Sequence, residues 1–319
     1  MKKYIGTIIT SIIVVALIVL SFVFGAPKLS SLQKETLLIL LIICGSSALY
    51  CFVVGEISRN NSQMDKLWSI LPIAYTWVIA IKGNMDPRLV IYAILVSIWG
   101  VRLTTNFARK GAYQLKFWAG EEDYRWKVLR SKKPLNNKFL WAMFDLFFIS
   151  IYQNALVLAI CLPSLVCMES GVPLGMFDFF AIFLVASFIL YEAIADEQQM
   201  FFYTTRNRML KEGKKLEELP YPFCLGFNTF GLWKRSRHPN YFAEQAIWIC
   251  LYLFVIGANQ GTYYVFNWSM VGCLVLVLLF MGSSMFGESV SSSKYPEYQN
   301  YQKSVSKYLP LWDYKNEEK

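Results

Sequence analysis

The sequence predicts an all-α, polytopic bundle of about eight transmembrane helices, within a range of seven to nine. Of the 319 residues, 55% are apolar and only 17% are charged, whereas charged residues make up about a quarter of a soluble domain. The apolar residues also lie in long blocks rather than at the spacing of an amphipathic surface helix. So large an apolar surplus requires lipid.

A transmembrane helix needs about 20 mainly apolar residues, and eight blocks approach that length. In order, they cover residues 4–24, 36–55, 67–82, 88–104, 141–165, 175–195, 241–257 and 264–283. The third and fourth are short or carry polar residues such as Lys82 and Arg102. The first ends at Gly25 and Ala26, as a secretory signal does, but it is longer than the usual apolar core of about 7–15 residues, which favours a retained span.

The distribution of positive charge predicts the orientation, because loops rich in Lys and Arg stay in the cytoplasm. With the N-terminus inside, all but four of the 31 Lys and Arg residues fall in cytoplasmic segments. The exceptions are Lys28, Lys34, Lys82 and Arg88. We therefore expect both termini, the polar region 105–140, the connection 196–240 and the tail from residue 284 to be cytoplasmic.

The same charges and the cysteines exclude other classes of protein. The net charge of +9 comes from basic residues that flank apolar blocks and mix with Trp, Tyr and acids, a pattern typical of an anionic membrane surface rather than of nucleic-acid binding. The seven cysteines show no Cys-x-x-Cys spacing and mostly lie inside apolar blocks. They indicate small core residues and neither a disulfide framework nor a metal site.

One polar run carries the strongest chemical signal. It extends from Gly231-Leu232-Trp233 through Lys234-Arg235-Ser236-Arg237-His238-Pro239-Asn240-Tyr241 to Glu244 and includes the single histidine of the chain. Lys and Arg supply donors for phosphate, and a proline fits the first turn of a helix, whose N-terminus favours anions. A basic collar before a membrane helix would account for the charges alone, but it would not account for an acid one turn inside that helix.

These residues resemble a known family. The run Ser-Arg-His-Pro-Asn-Tyr, after Gly-Leu-Trp and before a Glu, is similar to the C-terminal signature of steroid 5-alpha-reductase-like membrane proteins, specifically the branch known as DUF1295. Further similarities are Asp65 to Ser69, Arg102-Leu103 with Asn106, Glu192 to Gln198, Glu288, and Tyr295 to Tyr301. The resemblance implies a family domain over residues 61–319, preceded by a transmembrane scaffold over 1–60. It also implies a bacterial inner (cytoplasmic) membrane, because that branch is mainly bacterial.

The resemblance implies a reductase that passes hydride from NADPH to an activated double bond of a lipophilic, steroid-like or other lipid substrate within the membrane. The cofactor-binding residues expected from it are Asp196, Arg206, Trp233, Arg235, Ser236, Arg237, His238, Asn240, Tyr241, Glu244 and Tyr295. The candidates for proton transfer are Tyr241, Glu244 and Glu288. There is no Gly-x-Gly-x-x-Gly fingerprint for a Rossmann fold, so the cofactor is inferred from the resemblance.

Several alternatives stay open. Membrane methyltransferases that use S-adenosylmethionine, such as the isoprenylcysteine carboxyl methyltransferases, carry a similar Arg-His-Pro, and intramembrane acids also occur in transporters and sensors. Glu192 and Asp196, four apart on one helix face, could equally end a span at the interface. The glutamate and tyrosine with which steroid reductases polarise a substrate carbonyl have no assigned counterpart, although Glu56 and Tyr50 are available.

Overall fold

A computed structural model describes residues 5–23, 28–259 and 266–311, with side chains from residue 8 onward. This part of the chain is α-helical, and its one β-bridge joins Ser236 to Ser306. The helices are α1 (Ile5–Val23), α2 (Ser31–Ser58), α3 (Gln63–Leu67), α4 (Leu71–Lys82), α5 (Pro87–Arg109), α6 (Tyr124–Arg130), α7 (Lys138–Val166), α8 (Met176–Lys211), α9 (Pro239–Asn259), α10 (Trp268–Lys294) and α11 (Tyr298–Ser304).

Six helices of the described residues are long and apolar enough to cross a membrane: α2, α5, α7, α8, α9 and α10. They coincide with six of the eight predicted blocks. The other two blocks are helical but shorter, at Ile8–Val23 and Leu71–Lys82. The all-helical membrane fold is thus confirmed, whereas a total of eight spans and the orientation of the termini stay predictions.

The helix boundaries follow local sequence rules. Ser30 caps α2 by accepting a hydrogen bond from the Gln33 backbone, and the Gln33 side chain in turn accepts one from the Ser30 backbone. Asp86 caps α5 by accepting from the Arg88 backbone, with Pro87 in the first turn. Inside α7, residues Asp145–Tyr152 form a π-helical segment, a rare geometry that is frequent at functional sites.

The chain divides into two compact units. The C-terminal unit contains Leu184–Cys250 and Val277–Lys319 with the chain start Met1–Ile9, and the N-terminal unit contains Thr10–Phe183 and Leu251–Leu276. A domain boundary at residue 60 stays a prediction. Six of the seven cysteines are buried, as expected of small core residues, and Cys224 is half-buried.

The N-terminal unit is built by close helix packing. In it α4 packs on α5, and α2 packs on α7. Gly100 of α5 allows one such contact, because a Cβ there would lie 2.5 Å from the carbonyl oxygen of Ser69. Arg88 and Asp178 form a fully buried ion pair, with Arg88 Nε 2.7 Å from Asp178 Oδ1 and Nη2 3.0 Å from Oδ2.

Candidate functional site

The polar motif lies in the C-terminal unit, at the start of α9. Gly231 begins a 3₁₀ turn with a φ of +59°, and the carboxamide of Gln198 occupies the space where a Cβ would stand. That carboxamide oxygen accepts a 2.8 Å hydrogen bond from the Leu232 backbone, and the Trp233 indole donates to the Ala195 carbonyl at 2.9 Å. The Gly-Leu-Trp sequence thereby anchors the motif to α8.

The carboxylate of Glu288, in α10, contacts three hydrogen-bond donors. Its Oε1 accepts from Arg237 Nε at 2.8 Å and contacts His238 Nε2 at 3.0 Å, and its Oε2 accepts from Gln302 Nε2 at 2.8 Å. The side chains of Arg237, His238 and Glu288 are at most 13% exposed. A carboxylate held by a guanidinium and two further groups is an acceptor, so Glu288 fixes the positions of Arg237 and His238.

The C-terminal tail is docked on this motif. Arg237 Nη1 donates to the carbonyls of Gln302 at 2.5 Å and Val305 at 2.9 Å. The Arg237 and His238 backbone amides donate to the carbonyls of residues 306 and 307 at 2.9 and 3.1 Å. The Tyr301 hydroxyl donates back to the carbonyls of residues 233 and 236. Arg237 therefore fastens the tail to the start of α9.

Burial governs the protonation of two basic groups in this cluster. It lowers the pKa of His238, although the Glu288 carboxylate acts in the opposite direction. It also lowers the pKa of Lys307, again against the pull of Glu288. His238 is consequently a neutral ring at physiological pH, with Nε2 as the donor to Glu288.

Tyr241 lies beside the histidine. The two rings stack with centroids 5.3 Å apart and an angle of 17°, and Phe280 packs edge-on against Tyr241 at 4.7 Å. Within the described residues the Tyr241 hydroxyl makes no hydrogen bond. Of the three predicted proton-transfer candidates, Tyr241 is the one whose hydroxyl is available to a ligand.

Buried acids form a second arm of the site, between α8 and α9. Asn240 Nδ2 donates to Asp196 Oδ1 at 3.2 Å, and Glu244 Oε1 accepts from the Trp248 indole at 3.1 Å. Asp196, Glu244 and Glu192 are all buried. Glu192 lies one turn before Asp196 on α8, and Glu244 lies one turn after Asn240 on α9, so each acid shares a helix face with one partner of the Asp196–Asn240 contact.

Other predicted residues have structural positions. Arg206 Nη1 donates to the Gly226 carbonyl at 2.5 Å and to the Tyr295 hydroxyl at 3.2 Å. Tyr295 belongs to a buried cluster of aromatic and aliphatic side chains, with Phe227, Tyr298, Tyr301 and Val305. Ser236 is buried, and its hydroxyl accepts from the His238 backbone at 3.3 Å. Lys234 and Arg235 are exposed.

The structure brings some of the predicted residues together. One cluster contains Arg237, His238, Tyr241 and Glu288. Asp196 contacts Asn240, and Glu244 contacts Trp248. The structure places Arg206, Trp233 and Tyr295 in supporting contacts. The residue that sequence reasoning missed is Gln302, which lies just after the Tyr295 to Tyr301 segment but has no motif of its own.

A second polar network lies in the N-terminal unit and was not predicted. Asn61 is its centre: Nδ2 donates to Asp145 Oδ2 at 2.8 Å, and Oδ1 accepts from Arg130 Nη2 at 2.8 Å and from the Trp141 indole at 3.2 Å. A cavity of about 30 Å³, the size of a water site, is lined by Gly55, Glu56, Arg59, Asn61, Arg130 and Trp141. Glu56 thus lies at this network, although no bond assigns it the substrate-polarising role.

The Asp-Lys-Leu-Trp-Ser run belongs to the same region and serves to hold a loop. Lys66 is fully buried, and its ammonium donates to the carbonyls of Phe117 at 2.7 Å and Ala119 at 2.5 Å. Burial lowers the pKa of Lys66. The Asp65 carboxylate accepts from the Trp126 indole at 2.8 Å. These contacts give that run a structural role.

Comparison with known proteins identifies the family of this chain. A family model described as "Protein of unknown function (DUF1295)" matches residues 51–305, and the chain belongs to this family. One similar relative is the "Uncharacterized protein C594.04c" of Schizosaccharomyces pombe (strain 972 / ATCC 24843), which is 34% identical over 281 residues, or 83% of this chain and 79% of the relative. No solved structure gives a significant match. The predicted bacterial membrane stays a prediction.

Proposed function

We propose that this protein is an NADPH-dependent membrane reductase that transfers hydride to an activated double bond of a lipophilic substrate. The observation that carries the proposal is the set of buried carboxylates, Asp196, Glu244 and Glu288, around the first turns of α9. Ionisable groups buried at a membrane helix are costly and usually functional. The family resemblance of the motif supplies the reaction class.

The donor set fits a nicotinamide dinucleotide phosphate. Arg237 and Arg206 donate to carbonyls of the protein. We assign phosphate binding to Lys234 and Arg235, whose side chains are exposed just before α9. Asn240 and Asp196 offer an amide and a carboxylate for ribose hydroxyls or a carboxamide. When bound, the cofactor supplies the hydride, and the protein orients it and excludes water.

The chain's own residues would then supply the proton. Reduction of a carbon–carbon double bond adds one hydride and one proton, so a donor must lie near the substrate. Tyr241 carries the available hydroxyl, held in place by stacking on His238 and by Phe280. Glu288 fixes the ring of His238 through Nε2. We assign Tyr241 as the proton donor and Glu288 as a positioning residue.

Ligand binding by the purified protein in detergent tests the proposal. NADPH, NADH and S-adenosylmethionine are titrated in parallel against the wild type, Arg235→Gln and the control Lys211→Gln, which removes an exposed charge at the end of α8. We expect NADPH to bind more tightly than NADH, and Arg235→Gln to weaken NADPH about tenfold by removing one phosphate contact. Binding of S-adenosylmethionine alone would indicate a methyltransferase, and binding of none would indicate a non-enzymatic protein.

A further inference from the structure

A groove in the N-terminal unit carries chemistry that the proposed reductase site does not use. Its volume is about 550 Å³, within the range of small-molecule sites. It is lined by Ser58, Arg59, Asn60, Trp118, Ala119, Gly120, Glu121, Glu122 and Lys127. It therefore combines the end of α2 with the loop before α6 and with α6 itself.

The wall of this groove is rigidly built. Three buried side chains, Asn60, Gln63 and Lys66, donate to the carbonyls of four successive loop residues. The accepting residues are Phe117, Trp118, Ala119 and Gly120. A loop held by every consecutive carbonyl cannot collapse into the groove. The groove is accordingly a preformed site.

Both signs of charge are available at its rim. Arg59, Lys127 and Glu121 are exposed, and none of them forms an ion pair with any other described residue. Glu122 is already bonded to Arg130 at 2.5 Å and to the Asn61 backbone at 3.0 Å. The available groups are thus two cations that suit a phosphate and one carboxylate that suits an amine.

The location of the groove identifies the source of its ligand. Its lining begins at Ser58, the last residue of a 28-residue apolar span, and so lies where a membrane helix leaves the bilayer. Trp118 is half-exposed in the groove, and Leu115, three residues earlier in the chain, is completely exposed. An exposed Trp at this level is typical of the membrane interface. The C-terminal end of α2 adds a negative dipole that favours a cation.

We propose that this groove binds the headgroup of a zwitterionic phospholipid with a primary amine. Arg59 and Lys127 bind the phosphodiester, while Glu121 and the carbonyl end of α2 receive the ammonium, whose three N–H donors a quaternary amine lacks. Trp118 lies at the level of the glycerol backbone. The site is independent of the nicotinamide proposal, because none of its residues belongs to the motif.

Native mass spectrometry of the delipidated full-length protein tests this assignment with defined lipids. The probes are phosphatidylethanolamine, phosphatidylglycerol and phosphatidylcholine of identical acyl chains. We expect the wild type to prefer phosphatidylethanolamine over both others. Arg59→Gln and Lys127→Gln each weaken it about fivefold, as expected of one interfacial charge contact. The control Lys133→Gln, an exposed residue of the same polar region outside the groove, leaves binding unchanged.

Glu121→Gln tests the proposed contact with the ammonium separately from the contacts with the phosphate. Loss of the carboxylate removes the partner of the ammonium, so the preference for phosphatidylethanolamine over phosphatidylglycerol should disappear while binding of phosphatidylglycerol persists. Equal binding of all three lipids by the wild type would overturn the proposal. So would a preference for phosphatidylglycerol that Glu121→Gln leaves unchanged, since that outcome assigns the groove to a simple anion.

Discussion

Replacing Glu288 by Gln removes the charge that holds the motif and the tail together, with almost no change of shape. Glu288 accepts hydrogen bonds from Arg237, His238 and Gln302. In the variant, the amide NH₂ of Gln would face at least one of these N–H groups, so that hydrogen bond would be lost. Removing one partner of a buried ion pair costs about 3–5 kcal/mol. Arg237 keeps its bonds to the carbonyls of residues 302 and 305. We therefore expect the low end, about 3 kcal/mol.

That energy should appear as local opening of the tail. The Arg237 and His238 backbone amides donate to tail carbonyls, so their hydrogen exchange reports whether the tail is docked. A cost of about 3 kcal/mol raises the open population on the order of 100-fold. The assay is hydrogen–deuterium exchange of the peptides that contain residues 237–238 and 298–308, in detergent.

Glu212→Gln is the matched control, because it removes an exposed acid of the same unit just after α8. It should leave exchange at the motif unchanged. If Glu288→Gln accelerates exchange no more than Glu212→Gln does, the tail is held by other contacts. Glu288 would then lose its role as a positioning residue.

Three further predictions concern pH and stability. Burial lowers the pKa of His238 in the folded protein. As the pH falls below about 6.5, the unfolded chain therefore binds a proton that the folded chain does not bind. Thermal stability should consequently drop between about pH 7 and pH 5. His238→Asn should show a smaller drop than the wild type; an identical pH profile would refute the assignment. Arg88→Met leaves Asp178 buried without its partner and should lower the free energy of unfolding by about 3–5 kcal/mol. The loss should be visible as a lower melting temperature. A loss of less than about 1 kcal/mol would contradict the role of the buried pair. Lys66→Met removes the donor of two partly buried hydrogen bonds to the loop carbonyls of residues 117 and 119, and should cost about 1–3 kcal/mol. Lys133→Met should cause no measurable change. Equal melting temperatures of the two variants would disprove the loop-holding role.

The membrane fold could be predicted from the sequence because apolar blocks near 20 residues long are typical of membrane-spanning helices. Six blocks form helices of spanning length. The block over 67–82 does not reach that length because α3 and α4 are separate helices, and a proline lies in the first turn of the second. Block hydropathy cannot reveal such an interruption.

The sequence identifies the residues of the motif but not the groups of the protein that they contact. Arg237 stays a predicted cofactor-binding residue, and the structure adds contacts from its guanidinium to Glu288 and two tail carbonyls. Main-chain acceptors carry no side-chain signature, so no pattern could indicate that partner. The Asn61 network could have been predicted from the sequence, because four consecutive polar residues, 60–63, follow closely after a membrane span.

The most direct test of the proposed reductase follows the hydride itself. Membranes that contain the wild type are incubated with NADPH carrying two deuterium atoms at the transferring carbon, and their lipids are analysed by mass spectrometry. Our account predicts a lipid that gains one deuterium and one solvent proton. At limiting NADPH, that product should fall about tenfold with Arg235→Gln. It should be absent with Tyr241→Phe and unchanged with Lys211→Gln. Bound NADPH with no deuterium in any lipid would contradict the reaction proposed for this site. A product unchanged in Tyr241→Phe would contradict the proposed proton donor.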